Sequence, residues 1–427
     1  MIGSYIEPKI DQIMEDFLEK YIINMYEMDA AKLESLKNSF KNLLIFTVEG
    51  SRHKLVTEYE KLARLNIAMQ TPYIVLVNEI AYLKNTLADI LLKSGAKTEI
   101  YDLYALYVDI ENIVAYQYLD DYLKKLLEAN TYRTNSLKDM LEKNVVRFYE
   151  DHLAWLSALA IAIQKLDSSK IPELNPKLCE FGKWLCGEAK SVIKNNSKYS
   201  EIVRIHKTLH DLGNVINKQL DKRAKDFNVI MSYLEKCEMI SLSIGAELAL
   251  IDNTLIIKKA AKDEMTGALN RNSLSYIFAN QYELSLATAT SFVLAMCDLD
   301  YFKKLNDTYG HVAGDMMLKE FVKSAKSKIR DSDVIIRYGG EEFAILLPNT
   351  NIVNAKNKLE EIRIAFQNTV CVFDGNEIQT TVSIGAIEIA PATEVDVKEA
   401  KVETYVAIAD KKLYESKLNG RNRVSWE

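Results

Sequence analysis

Hydrophobic residues recur every three or four positions through residues 1–262, which is the spacing that lines one face of an α-helix. We predict an all-helical domain over 1–140, a helical bundle over 141–225 and a helical connector over 226–262. The connector has two interpretations, either a helix that pairs with its copy in a dimer or a helix packed on its own domain. The pattern at its clearest runs through Ile10, Ile13, Met14, Phe17, Leu18 and Tyr21.

The pattern changes after Lys262, where short apolar segments begin to alternate with helical ones. Residues 291–296 form a nearly continuous apolar run, as expected of a strand covered on both faces. Residues 301–307 are expected to form a loop. The alternation predicts a C-terminal α+β domain over 263–427, with a mainly antiparallel sheet and helices packed on it.

A hairpin is predicted where the segments 333–336 and 344–347 flank a glycine pair. Gly339 and Gly340 are expected to supply the positive φ angles of a tight turn. The turn is followed at once by two carboxylates. Adjacent acids repel each other, so a positive partner is expected there, most simply a divalent metal ion. The alternative is a solvated turn with acidic decoration.

Length and composition restrict the classes of protein that remain. The chain has 427 residues, 48% hydrophobic and 27% charged, which indicates two to four soluble globular domains. A net charge of −6 predicts no binding to nucleic acid. The five cysteines are odd in number and scattered, which favours a reducing, cytoplasmic compartment. We expect neither a secretory signal nor a membrane span.

A second acidic position lies at the end of the predicted strand 291–296, at Asp298. If this strand neighbours the hairpin, Asp298 and the pair Glu341 and Glu342 converge on divalent ions such as Mg²⁺, which leave coordination sites for phosphate oxygens. Positive charge for a triphosphate is available from Lys303, Lys417 and Arg421, and groups able to read a base edge from Asn306 and Asp315. An Asp carboxylate can accept both the imino and the amino protons of guanine.

A different metal is indicated between residues 141 and 225. His206 and His210 are four residues apart and so lie on one helix face, and His152 and Cys179 precede them. Three imidazoles and a thiolate suit Zn²⁺ better than Ca²⁺ or Mg²⁺. The alternative is a coincidental surface pair of histidines and a cysteine that is a small core residue.

These four positions, together with the run from Cys179 to Trp184, resemble the zinc-binding domain of bacterial chemoreceptors, called CZB. The resemblance covers about 75 residues of the chain. It implies a four-helix bundle in which His152, Cys179, His206 and His210 bind zinc. Cys186 has no place in that set and is expected in the core.

The C-terminal motifs are similar, in order, to those of the GGDEF family of diguanylate cyclases, here with GGEEF at the hairpin. The resemblance implies a palm-like nucleotidyl cyclase fold and the condensation of two GTP into cyclic di-GMP with loss of two pyrophosphates, in a homodimer. Met265 and Ala268 are mild departures. The matching motifs are the entry motif Asp263 to Arg271, Asp298 to Lys303, Asn306 to His311, Gly314 with Asp315, the hairpin, Ser383 to Gly385 and Gly420 to Arg423.

The family roles transfer to the matching positions of this sequence. Mg²⁺ or Mn²⁺ would be bound by Asp298, Glu341 and the Leu299 carbonyl, while Glu342 would support metal binding or activation of the 3′-hydroxyl. The predicted catalytic residues are therefore Glu341, Glu342 and Lys303. The predicted GTP-binding residues are Asn306, Asp315, Phe302, Lys417, Arg421, Gly339 and Gly340.

A site for the product is implied shortly before the hairpin. Arg330 and Asp333 match the family's RxxD inhibitory site for cyclic di-GMP, and Arg363 is expected to contribute to it. We therefore predict product inhibition. The alternative function is a catalytically inactive GGDEF scaffold or zinc sensor, although none of the signature acids or phosphate ligands is missing.

The first domain carries a fainter resemblance, to globin-coupled sensors, in the segments 62–67 and 71–73. Leu62 stands where those proteins have the haem-binding histidine, and His53 lies well upstream. No haem is therefore expected, and an unrelated helical bundle is the alternative.

Overall fold

A computed structural model of the chain describes residues 3–22, 30–140, 143–391 and 401–427. The chain forms two compact units, each built from three segments. The predicted boundaries at 140, 225 and 262 stay predictions. The first unit comprises Met1–Glu128, Ala158–Pro172 and Asp211–Cys237, and the second comprises Ala129–Ser157, Glu173–His210 and Glu238–Glu427.

All regular structure in the described part of residues 1–140 is helical, as the spacing predicts. Its core includes Tyr59, Leu62 and Leu83, all fully buried, whereas His53 is exposed. The position that carries the haem ligand in the resembled sensors is thus a core leucine. The α-helices are α1 (Gly3–Ile6), α2 (Ile10–Phe17), α3 (Ala30–Val48), α4 (Arg52–Ala68), α5 (Tyr73–Lys93) and α6 (Lys97–Asp139).

Helices continue through the predicted bundle and connector. Leu153, Phe181, Ile244 and Leu248 share one hydrophobic core in the second unit. Because Ile244 and Leu248 belong to the connector, its second half packs on its own unit, which favours that interpretation over pairing with a copy. The helices are α7 (Arg147–Gln164), α8 (Glu180–Cys186), α9 (Ala189–Val192), α10 (Asn196–Leu220) and α11 (Phe227–Lys259).

The α11 helix bears on the expectation of no membrane span. Among the described residues it is the one helix long and apolar enough to cross a bilayer, and half of its apolar window is buried in the protein. A buried core helix passes the same test, so this is weak evidence for a span.

The start of α7 is stabilised by a residue of α11. The Asp252 carboxylate accepts hydrogen bonds from the backbone N–H groups of Asn144, Val145 and Val146, at 3.0, 2.6 and 3.2 Å. A carboxylate at a helix N-terminus satisfies otherwise unpaired N–H groups. The connector thereby fixes the N-terminal end of α7, the helix that carries His152.

The C-terminal part is α+β, as predicted. Six strands form a sheet in the order β1-β3-β4-β2-β7-β8, antiparallel in its centre and parallel at both edge pairings. The strands are β1 (Leu269–Asn270), β2 (Phe292–Leu299), β3 (Val334–Gly339), β4 (Glu342–Leu347), β7 (Val382–Ile389) and β8 (Val424–Trp426), with β5 (Cys371–Phe373) and β6 (Asn376–Ile378) in a separate hairpin.

Helices cover both faces of the sheet. Gly385 of β7 permits the closest approach, since a Cβ there would lie 1.9 Å from the backbone nitrogen of Leu413. The helices of this region are α12 (Asn272–Thr288), α13 (Phe302–Tyr309), α14 (His311–Lys326), α15 (Ile352–Gln367) and α16 (Val402–Leu418).

Three local expectations are wrong. Cys186, expected in the core, is exposed at the end of α8, because Phe181, Trp184 and Leu185 form the buried face of that short helix. Residues 301–307 are not a loop, since α13 begins at Phe302; Phe302 and Leu305, three residues apart, are buried on one face of it. The hairpin forms, but Gly339 is the last residue of β3 and pairs with Glu342, so the turn residues are Gly340 and Glu341 rather than the two glycines. Neither glycine has a positive φ angle. The pairing register instead shifts between Arg337 and Gly339, and this irregularity accommodates the turn.

Candidate functional site

Asp298 and the hairpin acids come together because β2 and β4 are neighbours in the sheet. In their antiparallel register Asp298 is directly opposite Glu342, and the backbone N–H of Leu299 donates to the carbonyl of Glu341 at 3.4 Å. Side chains opposite each other on antiparallel strands are about 5 Å apart at Cβ. One end of the sheet therefore presents a group of carboxylates beside the backbone of Leu299.

Lys417 of α16 supplies positive charge to this group. Its Nζ lies 2.8 Å from Oδ2 of Asp298, whose side chain is 14% exposed. Burial raises the pKa of Asp298; the Lys417 ammonium opposes that rise, and Glu341 and Glu342 add to it. Oxygen ligands at this spacing fit a hard divalent cation, which would relieve the repulsion.

Arg421 and Lys303 lie on the two segments that flank this group. The Arg421 guanidinium is 4.7 Å from the centre of the Tyr301 ring, at the start of α13. Lys303 is exposed on α13. Two of the three predicted phosphate contacts, Lys417 and Arg421, thus sit at the C-terminal end of α16 and just beyond it.

The predicted guanine contacts lie where α13 meets α14. Asn306 faces Gly314 so closely that a Cβ on that glycine would be 1.9 Å from the Asn306 Oδ1. This Oδ1 atom is buried and accepts no hydrogen bond from the described residues. Asp315 follows Gly314 and is exposed. An unsatisfied buried acceptor is unusual and fits a donor on a ligand, such as the amino group of guanine.

Phe302, which is predicted to bind GTP, has its side chain in the hydrophobic core. The residue is 8% exposed and belongs to the hydrophobic core between the sheet and α14. The Phe302 ring lies close to Gly314, as its Cζ would be 3.1 Å from a Cβ there. Its placement is that of a core residue that supports α13.

Of the three residues predicted to bind product, Arg330 and Asp333 are in direct contact, whereas Arg363 makes its hydrogen bonds elsewhere. The Asp333 carboxylate accepts from the backbone N–H of Arg330 at 2.9 Å, and burial raises its pKa. The Arg330 residue is exposed. Arg363 instead donates to Glu360, Gln367 and Asn422, and the last of these bonds measures 2.7 Å.

The predicted zinc ligands form a second cluster, in the helical part of the second unit. Cys179 precedes α8, and its Sγ lies 3.3 Å from Nε2 of His206, which lies 3.1 Å from Nε2 of His210. Donor atoms of these three residues lie within 4.8 Å of one another. His152 is near, with its ring centre 5.5 Å from that of His206.

The donor set fits zinc. Tetrahedral zinc, with bonds of about 2.0–2.3 Å, holds its ligand atoms roughly 3.3–3.6 Å apart. The Cys179–His206 and His206–His210 distances of 3.3 and 3.1 Å are close to this spacing. Nε2 of His152 is buried without a hydrogen-bond partner among the described residues. Burial lowers the pKa of His206 to about 3, helped by His210, and that of His152 well below its usual value. Both imidazoles are thus neutral and able to bind metal.

Cys179 is held at the N-terminus of α8 by a close turn. Its Sγ accepts from the backbone N–H of Gly182 at 3.2 Å, and a Cβ on Gly182 would lie 1.8 Å from the Pro176 carbonyl oxygen. Glycine is therefore required three residues after the cysteine. Burial raises the pKa of the Cys179 thiol, against the opposing effect of the Gly182 N–H.

Two family models match the chain. Residues 260–423 match the model described as diguanylate cyclase, GGDEF domain, and residues 152–217 match the chemoreceptor zinc-binding domain. Residues 260–423 form a GGDEF domain. Residues 152–217 form a CZB domain, and the four predicted zinc ligands lie within that span.

Characterised relatives are similar over parts or the whole of the chain. Diguanylate cyclase A of Treponema denticola is 38% identical over 178 residues, which is 41% of this chain and 46% of that protein. This chain therefore spans about half the length of that relative. Diguanylate cyclase DosC of Escherichia coli is 24% identical over 437 residues, covering 100% of this chain and 91% of DosC.

Two further similarities involve shorter stretches. Diguanylate cyclase DgcZ of Escherichia coli is 27% identical over 290 residues, covering 67% of this chain and 93% of DgcZ. The crystal structure of the GGDEF domain of DgcB from Caulobacter crescentus with c-di-GMP is 29% identical, with a TM-score of 0.35, and covers 39% of this chain and 92% of that one.

The GGDEF domain contains an ion pair that sequence reasoning missed. Arg337 donates to the Gly340 carbonyl at 3.0 Å and lies 3.3 Å from the Asp263 carboxylate. Burial alone would raise the pKa of Asp263, but hydrogen bonds from Thr266 and Arg337 lower it overall. The entry motif is thereby joined to the signature hairpin. Asp263 begins the entry motif and Arg337 lies in the hairpin, but the interval between them in the sequence does not predict the contact.

Proposed function

We propose that the protein is a cytoplasmic diguanylate cyclase. In each half-reaction the 3′-hydroxyl oxygen of one GTP attacks the α-phosphorus of another. A phosphorus–oxygen bond forms, the bond to the β-phosphate breaks, the hydroxyl proton is lost and pyrophosphate leaves. The second half-reaction closes the ring of cyclic di-GMP. The observation that carries the proposal is the pairing of Asp298 with Glu342, with Lys417 beside them.

Asp298, Glu341 and the Leu299 carbonyl are proposed to bind the divalent ion, magnesium or manganese. When bound, this ion supplies positive charge to the triphosphate and to the reacting oxygen. Glu342 is proposed to support that binding or to accept the 3′-hydroxyl proton. Its position opposite Asp298 is compatible with either role.

The triphosphate is proposed to contact Lys303, Lys417 and Arg421. Lys417 pairs with Asp298 in this structure, so it is held where a triphosphate bound at the same acids would meet its ammonium group. Asn306 and Asp315 are proposed to bind guanine, with the unsatisfied Asn306 Oδ1 as acceptor. Positioning and charge stabilisation then supply most of the catalysis.

The reaction requires a second copy of the chain. Each GGDEF domain provides one set of guanine and phosphate contacts, while the product joins two nucleotides. Two domains must therefore face each other with their hairpins close together. We propose a homodimer in which the helical N-terminal half controls this approach.

Zinc and product are proposed as regulators. Zinc would be bound by His152, Cys179, His206 and His210, in a core that α11 shares before the chain enters the GGDEF domain. Product would be bound through Arg330 and Asp333, a proposal that rests on the family motif. Arg363 is proposed as a further contact only if its bond to Asn422 is exchanged for one to product.

The test is an assay of the purified full chain with GTP and Mg²⁺, with and without a zinc chelator. Cyclic di-GMP and pyrophosphate, formed in a ratio of one to two, are the expected products. Absence of cyclic di-GMP in both arms would contradict the enzyme and support the scaffold alternative. Equal rates in both arms would refute zinc control while leaving the cyclase intact.

A further inference from the structure

Asp300 is a buried acid beside the metal-binding end of β2 that has no place among the proposed ligands. The residue is 1% exposed. Its carboxylate accepts hydrogen bonds from Thr381 Oγ1 at 2.6 Å, Ser383 Oγ at 2.7 Å and the backbone N–H of Asn422 at 3.1 Å. A buried carboxyl group is costly unless its partners are well placed. Here they come from two distant segments of the chain.

The backbone of Asp300 is held as firmly as its side chain. Its N–H donates to the Thr381 carbonyl at 2.8 Å, and its own carbonyl accepts from Thr380 Oγ1 at 2.6 Å. These bonds attach the residue to the chain just before β7. The position of the carboxylate is therefore fixed relative to the sheet, and a less regular segment can be held by hydrogen bonds to it.

The attached segment is the turn between α16 and β8. Arg421 and Asn422 both lie in the left-handed region, with φ angles of +64° and +46°. Residues that carry a Cβ adopt this conformation at an energetic cost and keep it where surrounding contacts hold it. The Asp300 carboxylate provides one such contact, through the N–H of Asn422.

The side chain of Asn422 provides the remaining contacts. Its Oδ1 accepts from Arg363 at 2.7 Å and its Nδ2 donates to Gln367 at 3.1 Å. Asn422 is thus bound by α15 through its side chain and by Asp300 through its backbone. The preceding residue is left with its guanidinium over the Tyr301 ring, 4.7 Å from the ring centre.

We propose that Asp300 is a positioning residue for GTP binding. Through the backbone N–H of Asn422 it holds Arg421 where the triphosphate needs a cation. Asp300 touches neither substrate nor metal in this role, which separates it from Asp298 two residues earlier. The inference rests on the proposed function, because Arg421 is assigned there to the phosphates.

The test compares Asp300→Ala, Arg421→Ala and the double variant in the full chain. Two quantities are measured: the KM for GTP in cyclic di-GMP formation, and direct binding of guanosine 5′-[α,β-methylene]triphosphate by calorimetry. Each single variant is expected to raise KM about tenfold or more, the effect of losing a hydrogen bond to a charged group, with kcat changed less. The double variant is expected to match Arg421→Ala.

Asp300→Asn serves as the conservative variant. Its amide oxygen, in the place of Oδ2, can still accept from the Asn422 N–H and the Thr381 hydroxyl, and the Ser383 hydroxyl can accept from the amide nitrogen. A KM near that of the wild type is therefore expected. If circular dichroism shows that Asp300→Ala is unfolded, Thr381→Val replaces it. Thr381→Val is expected to raise KM by a smaller factor than Asp300→Ala. In a protein that already carries Arg421→Ala it is expected to leave KM unchanged.

Two results would overturn the inference. In the first, the double variant raises KM by the product of the two factors found for the single variants. This would mean that Asp300 acts independently of Arg421, as a structural residue. An unchanged KM in folded Asp300→Ala would do the same. Wild-type protein that neither binds the methylene analogue nor forms product would refute the proposed function itself, which distinguishes the two failures.

Discussion

Asp298 and Glu342 are direct cross-strand partners at one end of the sheet, on β2 and β4. This places two carboxylates about 5 Å apart at Cβ, with Glu341 next in the chain. Burial and these neighbours raise the pKa of Asp298 despite the Lys417 ammonium 2.8 Å away. The relationship explains why acids that are 44 positions apart in the sequence act together at one site.

Glu342→Gln tests this relationship most directly. The substitution keeps the shape of the side chain and removes its charge and its capacity to accept a proton. We expect the rate of cyclic di-GMP formation to fall at least about 100-fold, the usual cost of removing one group that acts on the transition state. Chromatography of the reaction at saturating GTP and Mg²⁺ measures it.

Glu377→Gln is the matched control, since Glu377 is an exposed glutamate of the β5–β6 hairpin. It should retain the wild-type rate. Melting temperatures of the two variants should agree with that of the wild type. Full activity in Glu342→Gln would contradict the assignment of the site.

Cys179→Ala and His206→Ala are expected to abolish zinc binding. The two ligand atoms are 3.3 Å apart in this structure, and the loss of either leaves at most three ligands. Purified wild-type protein should contain about one zinc ion per chain and the variants nearly none. Mass spectrometry of the metal content measures this.

Cys186→Ala is the control for the zinc prediction, because Cys186 ends the same short helix and is exposed. It should keep its zinc. A chelator should lower the melting temperature of Cys186→Ala and of the wild type, since ligand binding stabilises the folded state, and leave that of His206→Ala unchanged. Unchanged zinc in Cys179→Ala or His206→Ala would remove that residue from the ligand set.

Much of this architecture is predictable from the sequence, because its signals are local. The hairpin and its acids follow from apolar segments around Gly339 and Gly340, and the helix face from the spacing of His206 and His210. The α13 helix could not be predicted, because its eight residues offer only Phe302 and Leu305 as a periodic signal. Propensity is a weak guide at that length.

Contacts between distant segments could not be predicted. Spacing shows that Asp298 ends a strand, but only the sheet order shows that β4 is the neighbour. The same is true of Arg337 with Asp263 and of Asp300 with Asn422, which are joined across 74 and 122 residues. Such pairs leave no pattern in a single sequence, since neither residue type nor interval is distinctive.

Gly314→Ala is expected to impair GTP binding through Asn306. The added methyl group would lie 1.9 Å from Asn306 Oδ1 and must displace it. Asn306→Ala removes the same acceptor outright. We expect both variants to raise the Kd for the methylene analogue of GTP by about tenfold or more, the cost of one lost hydrogen bond in a buried site. Calorimetry measures the Kd.

The exposed Asn354 of α15 offers a control, and Asn354→Ala should bind the analogue like the wild type. The double variant Gly314→Ala with Asn306→Ala should be no weaker than Asn306→Ala alone, because both act on one side chain. An additive loss would show that the methyl group disturbs α13 in another way, and would contradict the proposed route.

Glu79 is expected to make the stability of the helical N-terminal region depend on pH. The residue lies on α5, is 3% exposed, and its Oε2 has no hydrogen-bond partner among the described residues. Burial raises its pKa from the ordinary 4.5 to about 7. The folded protein therefore binds this proton more tightly than the unfolded chain does. The stabilisation is complete below pH ~4.5 and is lost as the pH rises through ~7.

The rise of the Glu79 pKa from 4.5 to about 7 corresponds to a loss of about 3 kcal/mol of unfolding free energy between pH 4 and 8. Glu79→Gln removes the ionisable group, so calorimetry should show a higher melting temperature than the wild type at pH 8 and a smaller difference at pH 5. Asp89→Asn, an exposed acid on the same helix, should leave the wild-type pH dependence unchanged. If Glu79→Gln lowers the melting temperature by the same amount at pH 5 and pH 8, the carboxyl group is not buried in its neutral form. Only the ionisation of Glu79 can make the difference between variant and wild type grow with pH.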